Sequence, residues 1–140
     1  MFYAWLVATL LSGLPSTTHA LLTGGDPFEA TRAAGAMLIS ASASPLALFA
    51  AAAIVHSVVS LLWTVLFGLF LPERHVLPWA LMGASLVAWL DLQLIAPLFF
   101  PSVAALPFWP QFADHLMWGL CLGTVLWWRR ERLPDMPVVE

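Results

Sequence analysis

The chain has no lysine, a single cysteine, and charged side chains at only 9 % of its 140 positions. Each scarcity excludes something. Without lysine, and with a formal net charge of −3, there is no basic patch to hold a phosphate backbone, so nucleic acid is not an expected partner. With Cys121 alone, neither an internal disulfide nor a cysteine-based zinc site can form. Cys121 lies in an apolar run, and reactive thiolates need an electropositive, accessible setting, so an inert core thiol is expected. A soluble domain carries charge at about a quarter of its positions. With 61 % apolar residues, this chain could not hide its apolar surface from water. The expected solvent is a lipid bilayer, which a helix crosses with ~20 mostly apolar residues. The sequence also lacks a G-x-S-x-G turn and a lysine-bearing phosphate loop, so neither nucleophilic hydrolysis nor nucleotide binding is read from it.

What is present is a series of long apolar runs. Four could cross a membrane: Phe2 to Leu22, interrupted by Pro15; Leu46 to Leu71; Val76 to about Phe100, with Pro97 near its end; and Phe108 to Trp128. "LPERHVLP" and "FFPSVAALPFWP" separate the later runs, and their prolines cannot continue a helix. Between the first two runs, Asp26, Pro27 and Glu29 have the spacing of a helix start. A helix over about 27–42, too short to cross, is expected to lie at the interface. The expected fold is an all-α integral membrane protein: a four-helix transmembrane bundle with one extra interfacial helix. Residues 1–128 form one membrane domain and 129–140 a polar tail.

Orientation follows from arginine, because cytoplasmic loops carry the excess of positive charge. Arg74, Arg129, Arg130 and Arg132 fall on one side of a four-span arrangement and Arg32 on the other. Both termini are therefore expected in the cytoplasm. Trp79, Trp127 and Trp128 would form the inner aromatic belt, with Phe99, Phe100, Phe108 and Trp109 forming the outer one. The "STTHA" at 16–20 has some likeness to a signal-peptide cleavage site, but "MFYAW" lacks the positive start of such peptides, so a retained first span is expected.

Ionisable groups inside spans are rare and by default functional, although they can also act as packing glue. Counting from the inner ends of their spans at 1.5 Å per residue, His56, Asp91 and His115 all lie roughly 20–23 Å up, and His19 about 27 Å. Their helical faces agree as well. Ala52, His56 and Ser60 align; Ala80, Ala84 and Ala88 form a small-residue stripe that Asp91 continues; His115, Gly119 and Gly123 align in a G-x-x-x-G pattern. Asp114 lies about 100° around the helix from His115. The expected site is therefore a polar cluster in the outer half of the bundle, made of His56, Ser60, Asp91, Asp114, His115 and His19.

Four chemistries suit such a cluster. Interhelical hydrogen bonds would hold the bundle together. A histidine beside a carboxylate could handle protons, since histidine titrates near neutrality. His56, Asp91 and His115 are the candidate ligands if a metal is bound. A small-molecule pocket is the fourth. Trp63, Trp89 and Trp118 fall in mid-span and are read as packing residues. No cofactor is predicted.

The stretches "HSVVSLLWTVLFG", "GASLVAWLDLQLIAPL" and "LPFWPQFADHLMWG" followed by "RRER" resemble the YagU-type family of small bacterial inner-membrane proteins. The resemblance covers about residues 51–132 and places His56, Ser60, Gly83, Pro97, Pro107, His115 and Trp118 at family positions. Asp91 departs, standing where the family pattern has histidine. The resemblance implies a multi-pass protein of the bacterial cytoplasmic (inner) membrane with a link to acid tolerance. The resulting expectation is a small membrane protein serving acid or stress physiology, or the passage of protons or a small solute. The alternatives are an accessory or structural subunit of a larger membrane complex, or a membrane metal-binding protein or enzyme. The lipid bilayer is the expected partner, with a membrane-protein partner or a homo-oligomer as further options.

Overall fold

The computed structural model describes residues 1–72 and 74–131, and all regular structure among them is helical. The expected tail from 132 onward, including Arg132, lies outside the described residues.

The first apolar run is not one helix. It divides into α1 (Phe2–Leu11) and α2 (Leu14–Thr23), with Ser12 and Gly13 between them. Pro15 explains the break. It has no N–H for the carbonyl of Leu11, and its ring crowds that carbonyl, so the helix restarts with proline in its first turn. Gly24 then ends α2 in the left-handed conformation, φ 72°, with the Gly25 N–H donating to the Ala20 carbonyl at 2.8 Å.

The short helix is shorter than expected. α3 covers Glu29–Gly35, not 27–42, and residues 36–44 follow as turns. Asp26 does not cap a helix that begins at Pro27. Its Oδ1 accepts the Phe28 N–H at 2.9 Å, forming a local turn, and its Oδ2 pairs with Arg32. Gly35 ends α3 against the backbone of Leu48, where a Cβ would collide with the Leu48 carbonyl.

α4 (Pro45–Phe70) begins with Pro45 in its first turn and the Ser44 hydroxyl accepting the Ala47 N–H at 3.3 Å. It stops at Leu71, which takes an extended ψ of 132° because Pro72 follows. α5 (Val76–Leu90) runs into a π turn (Asp91–Ile95) and then α6 (Ala96–Phe99). The wide turn belongs with Pro97, since a π turn relieves the clash a proline ring makes with the preceding helical turn. α7 (Pro101–Ala104) and α8 (Phe108–Glu131) complete the described chain.

Two helices are long and apolar enough to cross a membrane, Pro45–Phe70 and Val76–Phe99. α1 and α2 have only ten residues each. α8 is long, but Gln111, Asp114, His115 and its arginine-rich end dilute its apolar character. The outward faces are strongly apolar. On α4, Ile54, Val58, Leu62 and Leu69 are exposed, as are Met82 and Leu86 on α5.

The core sits at one end of the bundle. Ala4 and Ala8 of α1, Phe67 of α4, Val76, Ala80 and Ala84 of α5, and Trp118, Leu122 and Leu126 of α8 pack together there. α5 and α8 meet through small residues. A Cβ on Gly119 would lie 2.5 Å from the Ala84 Cβ, and one on Gly123 would lie 2.9 Å from the Ala80 Cβ. The G-x-x-x-G face and the alanine stripe are thus the two sides of one contact. Cys121 is partly buried against this core. The opposite end, under α3 and α7, is hollow.

Candidate functional site

The hollow end holds a cavity of about 430 Å³. Its walls are mostly apolar, with Trp63, Trp118, Phe49 and Val87 among them, and His56, Ser60, Asp91, Asp114 and His115 all line it. The alternation of small and polar residues on the helix faces explains this arrangement. Asp91 follows the buried Ala80–Ala84–Ala88 face of α5, and His115 precedes Gly119 and Gly123 on α8, so close packing of these faces carries both side chains inward.

His115 and Asp91 form a pair. His115 Nδ1 lies 2.9 Å from the carbonyl oxygen of Gln111 on its own helix. A carbonyl can only accept, so Nδ1 carries a hydrogen. Nε2 lies 3.2 Å from Asp91 Oδ2. That contact is a hydrogen bond only when one more proton sits on it, on the ring or on the carboxyl. Without that proton a nitrogen lone pair would face a carboxylate. As a hydrogen bond, the contact holds one proton beyond the one on Nδ1.

His56 belongs to a different set. Its Nε2 lies 3.0 Å from the carbonyl oxygen of Thr9 and 3.0 Å from the hydroxyl of Ser12, at the end of α1. The break before Pro15 explains the contact, because the last carbonyls of α1 lose their helical partners and need a donor. Nε2–H is that donor, which leaves the Nδ1 lone pair without a hydrogen bond among the described residues. Asp114 meets the other side of the same break. Its Oδ1 accepts the backbone N–H of Ser16, in the first turn of α2, at 2.9 Å. A proton donor at a helix C-terminus and a carboxylate at a helix N-terminus both match the helix dipole. The break is thus clasped from α4 by His56 and from α8 by Asp114.

Ser60 ties three helices together. Its hydroxyl accepts the Trp118 indole N–H at 2.8 Å and lies 2.7 Å from the Thr9 hydroxyl. Trp118 is therefore more than packing, as its ring N–H is a buried polar link from α8 to α4. Trp5 makes a parallel link, its Nε1–H donating to the Ser57 carbonyl at 3.1 Å.

Of the predicted cluster, the structure brings five members to one cavity and joins two of them directly. His56 bonds to neither His115 nor Asp91, because the broken end of α1 takes its Nε2. His19 is not in the cluster. It is exposed on α2 and lines a smaller recess of about 160 Å³ beside Asp26 and Glu29. The bend at Ser12 and Gly13 redirects α2, so a count along a straight helix misplaced this residue. The candidate metal set is also not assembled. Among the described residues, no three histidine, cysteine, aspartate or glutamate side chains lie close enough to hold a metal ion. Sequence reasoning missed Thr9, Ser12, Ser16 and the Gln111 carbonyl. The spacing of Thr9, Ser12 and Ser16 at three and four residues was the available signal.

Compared with protein families, curated proteins and solved structures, the chain matches none.

Proposed function

We propose that this chain is a small integral membrane protein, crossing the bilayer four times, whose outer-half cavity takes up a small solute beside a proton-holding His115–Asp91 pair. α1 and α2 together would make the first crossing and α8 the fourth, with both termini in the cytoplasm of a bacterial cell. The observation that carries the reading is the His115 ring. With Nδ1 committed to Gln111, its contact with Asp91 requires a proton, and the pair faces an open cavity. A mostly apolar cavity with a few convergent polar groups is the usual form of a small-molecule site. The acid-tolerance setting implied by the resemblance to YagU-type proteins fits a proton-holding pair near the outer face.

The test is proton movement in vesicles that contain a trapped pH dye. After an external acid pulse, vesicles with the unaltered protein should acidify faster than those with His115→Asn or Asp91→Asn at matched protein level. Equal rates in all three would retire the proton role.

A further inference from the structure

We propose that the cavity binds a compact lipophilic amine as its ammonium ion, entering sideways from the lipid. This rests on the preceding reading that the cavity receives a solute within the membrane, and it names that solute's class.

Three observations on the lining carry the proposal. The first is charge. The chain has no lysine, and among the described residues no arginine lines the cavity, whereas Asp91 and Asp114 both do. Asp91 is paired with His115 at 3.2 Å. Asp114 is held by Ser16, whose N–H donates to it at 2.9 Å, a neutral partner. With one proton between them His115 and Asp91 are neutral as a pair, so the Asp114 carboxylate leaves the lining acidic, which disfavours an anionic ligand. A ligand ammonium would supply the missing positive charge, and an ionised hydrogen bond is roughly twice as strong as a neutral one.

The second is the pattern of free acceptors. His56, which also lines the cavity, donates through Nε2 to the end of α1, so its Nδ1 keeps an acceptor lone pair. A donor-rich head such as an ammonium has uses for both that lone pair and the Asp114 carboxylate. A ligand offering only acceptors has a use for neither. Trp63 and Trp118 also line the cavity, and aromatic rings attract cations.

The third is the mouth. Leu10 and Val59, 70 % and 39 % exposed, line the cavity and also reach the surface, together with exposed Gly13 and Ala53. The opening therefore lies between the α1–α2 break and α4, on the flank where Ile54 and Val58 present an apolar face. A ligand using this mouth passes through apolar surroundings, which selects a lipophilic body. The volume of about 430 Å³ sets its size to a compact molecule.

The experiment uses the full chain in lipid nanodiscs and three probes with the same apolar cage: 1-aminoadamantane, 1-hydroxyadamantane and adamantane-1-carboxylate. Equilibrium binding of the radiolabelled compounds should be saturable for the amine and about tenfold or more weaker for the alcohol, the effect of one charge-assisted hydrogen bond. The carboxylate should bind more weakly still. If the alcohol or the carboxylate binds as tightly as the amine, the proposal is overturned while the solute cavity stands. If none binds, both are overturned. Asp114→Asn should remove the amine's advantage over the alcohol, and an unchanged advantage overturns the proposal. Asp114 also supports the first turn of α2, so Val59→Trp is the second variant. It should block the mouth and abolish amine binding, and retained amine binding would overturn the entry route.

Discussion

Asp26 and Asp114 do the same work in two different surroundings. Each carboxylate accepts a backbone N–H at 2.9 Å, from Phe28 in one case and from Ser16 in the other. Asp26 is exposed, and there the Arg32 guanidinium and then the Phe28 N–H hold its carboxyl below the ordinary value of 3.8. A depressed folded value means that its contribution is present above the unfolded value and is lost as pH falls through the folded one. The turn between α2 and α3 should therefore be ordered at neutral pH and loosen below 3.8. Hydrogen-exchange protection of the Phe28 amide, corrected for intrinsic rate, checks this, and Asp26→Asn should flatten the pH dependence. Residue identity announced Asp26 correctly as a local acceptor. It could not say that the acceptor would serve a turn, because an Asp two residues before an N–H fits a turn as well as a cap. His56 shows the same limit. Its place on the face of α4 shared with Ala52 and Ser60 was legible from spacing, but its partners were set by a break in another helix.

Among the elements, α5 against α8 is the contact most directly written into the chain. The alanines at 80 and 84 and the glycines at 119 and 123 repeat every four residues, so each set makes one flat face. Gly119→Ala should destabilise the protein by about 1–3 kcal/mol, because the new Cβ would lie 2.5 Å from Ala84 Cβ and 3.0 Å from the Ala80 carbonyl oxygen. Gly13→Ala is the contrast. Nothing lies within 4 Å of a Cβ there and φ is −79°, so stability should be unchanged or higher by up to ~1 kcal/mol. Thermal unfolding of both variants in the same detergent measures the difference. The α1–α2 break was visible as Pro15, but its consequence was not. Proline marks where backbone groups lose their partners, and the sequence does not name the side chains that replace them.

For the whole molecule, the asymmetry between a packed end and a hollow end matters most. The four-span reading makes a claim about sidedness that reporter fusions can test. A reporter after Glu140 should read cytoplasmic and one inserted at Gly25 should read periplasmic. If only Pro45–Phe70 and Val76–Phe99 cross, both positions will read on the same side.

The sequence by itself determined the helical class, the abundance of exposed apolar surface and the main breaks. Composition decides what can be left exposed, and proline decides where a helix must stop. It also determined which faces carry small residues and therefore which polar groups turn inward. The tertiary structure alone decided how those groups pair. His115 reaches Asp91, and His56 and Asp114 instead close on opposite sides of one broken helix, because the bend at Ser12 and Gly13 exposes a carbonyl to one and an N–H to the other. Hydrogen-bond partners within about 3 Å are fixed by the docking of whole helices, and no pattern along a single helix contains that information.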